Sequence, residues 1–144
     1  MLLSQQNKAT VQRFNKEFIE QGSMEAFKEI IAQEFINHTA PAGAPTGPEG
    51  VLYFFNGLLK PAFPDLTVVI HDQVADDEKV TTRKTFHGTH QGEFFGIPAT
   101  QKPVTMEVID IIKLRDGKFV EHWSVLDWQN VIQQLTSNGA EQAH

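Results

Sequence analysis

The chain has no cysteine in its 144 residues, so it can form no disulfide, offers no thiolate nucleophile, and could bind zinc only through His and carboxylates. It has few basic groups: 12 Lys and Arg stand against 18 Asp and Glu, for a net charge of −6. There is no basic run, which argues against nucleic acid as a partner, since phosphate binding needs a positive face. No apolar run approaches membrane-spanning length, and the opening M-L-L-S-Q-Q-N-K lacks an apolar signal core. These absences give the expectation of a cytoplasmic protein without a membrane segment. No internal repeat or linker divides residues 1–144, so one domain with a full core is expected.

The organising stretch is Val104–Trp128. Val104–Leu114 and Lys118–Leu126 are rich in β-branched residues, and Arg115-Asp116-Gly117 between them supplies a turn, so the stretch reads as a long hairpin. Gly117 suits two loops. A two-residue Asp-Gly loop pairs Arg115 with Lys118 and sets Asp110 opposite Trp123, whereas a three-residue loop pairs Leu114 with Lys118 and sets Asp110 opposite His122. A slip of one residue moves the polar set to the other face. We favour the three-residue loop, because it gathers Asp110, His122 and Ser124 on one face with Met106, Val108 and Val120. The opposite face is then Ile109, Ile111, Phe119, Trp123 and Val125, almost wholly apolar, which predicts a homodimer or larger oligomer packed through the sheet.

Upstream, apolar spacing predicts a helix over Ser4–Gln21 stopped by Gly22, and a second from the N-cap Ser23 through Ala32. Phe35-Ile36-Asn37-His38 leaves that helix, and Thr39–Pro48 is a Pro/Gly-rich loop. A third helix runs from Pro48 to Leu59. Strands follow over Asp65–Ala75 and Lys79–His87, then a Gly/Pro-punctuated excursion to Pro103 in which Phe94 and Phe95 could line or cover a pocket. Asp127 is placed to cap a short last helix through Leu135, and Thr136–His144 reads as a frayed tail. Helices followed by an antiparallel meander make an α+β fold, a curved sheet with helices across its concave side and a pocket between.

Several strings then converge: F-x-N-H at Phe35–His38, G-P-E-G at Gly47–Gly50, F-P-D-L at Phe63–Leu66, F-H-G-T-H-Q-G-E-F-F-G-I-P-A-T at Phe86–Thr100, R-D-G-K-x-V-E-H-W at Arg115–Trp123, and a later Asp127. In this order they resemble the SnoaL-like polyketide cyclases of the NTF2-like superfamily, over roughly Asn7–Leu135. The resemblance implies a cone-shaped α+β barrel, usually a homo-oligomer. It also implies an intramolecular aldol ring closure run by an acid/base pair, with no metal or organic cofactor. In those cyclases the essential Asp lies two residues after the last-strand His, where this chain has Ser124, and the partner His falls at Asp110. His122 matches the last-strand His and Asn37 an Asn near the pocket mouth.

The candidate catalytic pair is therefore Asp110 and His122, a carboxylate that can orient an imidazole as a general base. Ser124, Arg83, Asn37 and His38 are candidate substrate-binding residues. Ser124 can donate to a ligand oxygen. Arg83 can grip a carboxylate or phenolate, or else pair with a surface acid. His38 can reach the mouth, or else cap the second helix. His71, His87 and His90 raise the question of a metal, but no third ligand stands in register and no metal is expected. The readings that remain are an acid/base enzyme acting on a small hydrophobic oxygenated substrate, a non-catalytic binder of a small apolar ligand, and a hydratase or isomerase.

Overall fold

A computed structural model describes residues 2–137. Helix α1 (Leu3–Arg13) continues into a π-helical segment, Phe14–Glu20, and ends where Gly22 turns left-handed at φ 73°. Ser23 then caps α2 (Met24–Ile30), its hydroxyl accepting from the Ala26 N–H at 3.1 Å. Here the chain departs from expectation. The second helix stops at Ile30, and Ile31–Asn37 is a strand, β1, lying parallel to the last strand. Helix α3 (Pro48–Leu52) begins on proline, as anticipated, passes through a π-helical segment (Tyr53–Leu59) and closes with one turn, α4 (Lys60–Ala62).

Strands β2 (Thr67–Ala75), β3 (Lys79–Thr89), β4 (Pro103–Arg115) and β5 (Lys118–Leu126) form the meander, and α5 (Trp128–Thr136) follows. The sheet order is β1-β5-β4-β3-β2. The Asp127 carboxylate caps α5 by accepting from the Asn130 N–H at 3.0 Å. Of the tail expected from Thr136, Thr136 ends α5, and residues 138–144 lie outside the described residues. The architecture is the expected α+β cone, with helices against one face of a five-stranded sheet. Among the described residues no helix is long and apolar enough to cross a membrane.

The hairpin resolves differently from either reading. Its loop has two residues, with Asp116 and Gly117 both left-handed (φ 53° and 76°), so Arg115 pairs with Lys118 and Leu114 with Phe119. The register then shifts between Leu114 and Lys113, which pairs with Glu121. That bulge inserts one extra residue, Val120, and re-phases the strand. Asp110 ends opposite Ser124, not His122, and His122 faces Ile112. The bulge explains two further facts. Asp110, His122 and Ser124 share the concave face despite the two-residue loop. Phe119, expected on the outer face, is instead buried at 1% exposure and packs on Phe14 with ring centroids 5.0 Å apart.

The core between helices and sheet is dominated by phenylalanine: Phe18, Phe63, Phe94 and Phe119 are fully buried. Burying each is worth about 1.5–3 kcal/mol in transfer terms. On the convex face Ile109 and Val125 are 51% and 75% exposed. Phe94 does not line a pocket. It packs on Phe63 and on Trp128, while Phe95 lies half exposed against both Phe94 and Trp128.

Candidate active site

The concave side of the sheet encloses a cavity of about 450 Å³. Rings of Phe14, Phe35, Phe54, Phe55, Phe86 and Phe119 make most of its wall. A polar strip crosses the sheet side, from Asn37 on β1 through His122 and Ser124 on β5 and Asp110 on β4 to Lys84 on β3.

His122 is held from one end. Its Nδ1 lies 2.9 Å from Oδ1 of Asn37. That Asn37 atom also accepts the Thr39 backbone N–H at 3.1 Å and the Thr39 hydroxyl at 3.1 Å, which identifies it as the amide oxygen. An oxygen can only accept, so Nδ1 carries the proton and Nε2 is the nitrogen left to exchange one. Nε2 faces Oδ2 of Asp110 at 3.8 Å, an ion-pair separation longer than a hydrogen bond.

Asp110 is 3% exposed and lies 3.0 Å from the ammonium of Lys84, itself 4% exposed. Lys84 also donates to Oδ1 of buried Asn15 at 2.8 Å and sits over the Phe86 ring. Asn15 is oriented in turn by its own bond from Nδ2 to the Val11 carbonyl at 2.9 Å. Burial alone pushes the Asp110 carboxyl up, but the charge of Lys84 and then the polar contact with His122 more than offset it, so the group sits below the usual carboxylate range. Asp110 is thus a fixed anion. Its Oδ1 has no hydrogen-bond partner among the described residues.

The mouth is crossed by the loop between β1 and α3, which contributes Thr39, Ala40, Pro41, Ala44 and Pro45 to the lining. Its ends are tied by the Asn37 N–H to the Thr46 carbonyl (2.7 Å) and the His38 N–H to the His122 carbonyl (2.9 Å). It lies directly on the first turn of α3, where a Cβ on Gly50 would fall 2.2 Å from the Pro45 carbonyl oxygen. The Ser124 N–H donates to the Thr39 hydroxyl at 2.9 Å, and the two hydroxyls are 3.4 Å apart.

The structure therefore brings together Asp110, His122, Ser124 and Asn37 and leaves out two of the residues singled out from sequence. Arg83 points to the convex face, half exposed, with Nη2 2.6 Å from the Asp72 carboxylate. His38 also turns outward. It bonds Glu121 at 2.9 Å and stacks on Trp123 with centroids 4.8 Å apart. Both corrections have one cause: each residue is next in sequence to an inward-facing one, Lys84 and Asn37. Lys84, Asn15 and Thr39 are the site residues that sequence reasoning missed. The signal for Lys84 was the run Val80, Thr82, Lys84, Phe86, which alternates inward on β3. His71 bonds the Thr85 hydroxyl and His90 the Thr100 hydroxyl. Among the described residues no group of three or more His, Asp or Glu could hold a metal ion.

Among curated proteins none matches the chain. Among solved structures, IdmH, a candidate polyketide cyclase from Streptomyces antibioticus, is 33% identical over 92% of this chain and 99% of its own, with a TM-score of 0.82. A candidate polyketide cyclase from Bacillus cereus is 30% identical over 90% and 80%, with a TM-score of 0.77. AclR, a candidate hydroxylase from Streptomyces galilaeus, shares the fold at 23% identity over 92% and 96%, with a TM-score of 0.80. The family model for SnoaL-like polyketide cyclase matches residues 9–135, and the chain belongs to that family.

Proposed function

We propose that this protein is a small enzyme that moves protons on a hydrophobic, oxygenated substrate by general acid/base chemistry, without a metal or organic cofactor. The supporting observation is His122, whose Nδ1 is held by Asn37 while Nε2 turns toward a buried anion in a largely aromatic cavity. The reaction most in keeping with the family is an aldol-type ring closure. In that step His122 Nε2 takes a proton from an activated C–H, the resulting carbanion attacks a carbonyl carbon of the same molecule, and a C–C bond forms. The proton returns to the new alkoxide. The substrate's own conjugated π-system spreads the enolate charge, and Ser124 donates a hydrogen bond to a substrate oxygen. The test is turnover of a linear aromatic β-keto ester followed by mass spectrometry. His122→Gln and Asp110→Asn each cost at least about 100-fold, the usual worth of a positioned acid/base group. Full activity in both variants refutes these roles.

A second reading rests on Ser124, which stands where the cyclases carry their acid. In it the protein binds a small apolar ligand without converting it. Saturable binding of such esters with no product by mass spectrometry favours it. A second copy of the chain is the proposed cover for the convex face, around Ile109, Trp123 and Val125, and the cytoplasm is the proposed compartment.

A further inference from the structure

Lys84 is absent from the acid/base scheme above, yet it is the only cation on the cavity lining among the described residues. It cannot serve as a free nucleophile or as a direct enolate partner. Its ammonium is spent on Asp110 Oδ2, Asn15 Oδ1 and the face of Phe86. What it does is decide where the charge of Asp110 goes. Two groups compete for Oδ2, the Lys84 ammonium at 3.0 Å and His122 Nε2 at 3.8 Å. With Lys84 in place the carboxylate is neutralised from the far side. Without it, the buried anion has one remaining partner, and Nε2 would carry a proton to meet it.

Among the described residues the surroundings of His122 contain no rival for this control. From β1 it meets the neutral Asn37 and the ring of Phe35; across β4 it meets Ile112 and Asp110. From α1's π-helical extension come Phe14 and Asn15, and the α3 side contributes Val51, Phe54, Phe55 and Leu58 to the cavity. Tyr53 is the other titratable group on the lining, 58% exposed at the mouth.

We propose that Lys84 is a positioning residue: its ammonium takes up the charge of Asp110 and so leaves Nε2 of His122 open to trade a proton with the substrate. This rests on the reading of His122 as the proton-transfer group, but the test separates the two. The Cε1–H resonance of His122 is followed by NMR against pH in the full chain, assigned by its loss in His122→Gln. Lys84→Met moves the His122 titration to higher pH by about one pH unit or more, the usual effect of an uncompensated opposite charge at this range. Asp110→Asn leaves the Lys84 charge uncompensated and moves the titration lower. The double variant Lys84→Met/Asp110→Asn restores a neutral environment and returns the titration to the parent position. It replaces the ion pair without leaving a buried charge, so it is also the variant that folds most readily.

The proposal is overturned if Lys84→Met leaves the titration in place or lowers it. It is equally overturned if the double variant, where it alone folds, titrates about one pH unit or more from the parent. If the shifts follow this pattern while His122→Gln retains turnover, the electrostatic role of Lys84 stands and the catalytic reading of His122 falls.

Discussion

Replacing Ser124 by aspartate puts a second carboxylate into this site and tests the geometry of the whole polar strip. Ser124 pairs directly with Asp110 across β5 and β4. Opposed residues have Cβ atoms about 4.5–5.5 Å apart, so the new carboxylate lies about 5 Å from the old one. Two like charges at that distance repel by about 3 kcal/mol at an effective dielectric near 20, and by about half that once the partial exposure of position 124 is allowed for. No spare cation offsets this, since Lys84 is already engaged by Asp110 and Asn15. A repulsion of about 1.5–3 kcal/mol raises one carboxyl of the pair by about 1–2 pH units, and the protons then belong to the pair and not to either residue.

The sign follows from linkage. A carboxyl raised above its unfolded value, about 3.9, contributes stability that is fully present below that value and is lost as pH rises through the folded one. The melting temperature of Ser124→Asp therefore stays close to the parent near pH 4 and falls behind by several degrees at pH 7, each kcal/mol being worth about 3 °C at this size. Differential scanning calorimetry of both proteins at low salt across that range reads the gap. A gap of equal size at pH 4 and pH 7 would refute the reasoning, because it would mean that positions 110 and 124 do not feel each other.

Other outcomes follow from the same geometry. Arg83→Ala costs under about 1 kcal/mol in a urea melt and leaves the His122 NMR resonance unmoved, since its pair with Asp72 is solvent-exposed on the far face. Phe119→Ala costs about 3–5 kcal/mol in the same melt, because Phe119 is buried against Phe14. His90 is completely buried and its desolvation lowers its pKa, so it contributes stability that is present above about pH 6.5 and lost as pH falls; His90→Gln flattens that part of the melting curve. Sedimentation at micromolar concentration gives a dimer or larger for the parent and a monomer for Val125→Asp, and a monomeric parent would refute the proposed interface.

What was legible in the sequence was whatever is decided locally. Ser23 and Asp127 cap helices because a short polar side chain reaches an N–H three residues on, and Pro48 starts α3 because its missing donor costs nothing there. Strand β1 was not legible. Its burial follows no simple alternation, it springs directly from α2, and its pairing with β5 is interrupted between Ile31 and Ile36. A segment like this becomes a strand because an unpaired edge of β5 is available, and that edge lies more than eighty residues away in sequence.

The polar strip was half legible for a related reason. The expected face of Asp110, His122 and Ser124 is the observed face, yet the loop and the pairing behind that expectation differ from the ones found. The loop is tighter by one residue, and the bulge at Val120 adds one more residue to β5. Each departure moves the partner on β5 by one residue in the same direction, and the total slip of two keeps the face because the period of a strand is two. No such cancellation helps on β3. There Arg83 and Lys84 are adjacent cations, one must face in, and charge alone favours neither. Packing decides: Val80, Thr82 and Phe86 bury on the concave side, and the residue in phase with them is Lys84. A lysine can take that place only because Asp110 and Asn15 meet it there. The buried cation and the buried acid therefore depend on each other, and Lys84 could not be assigned to the site until the position of Asp110 across the strand pair was fixed.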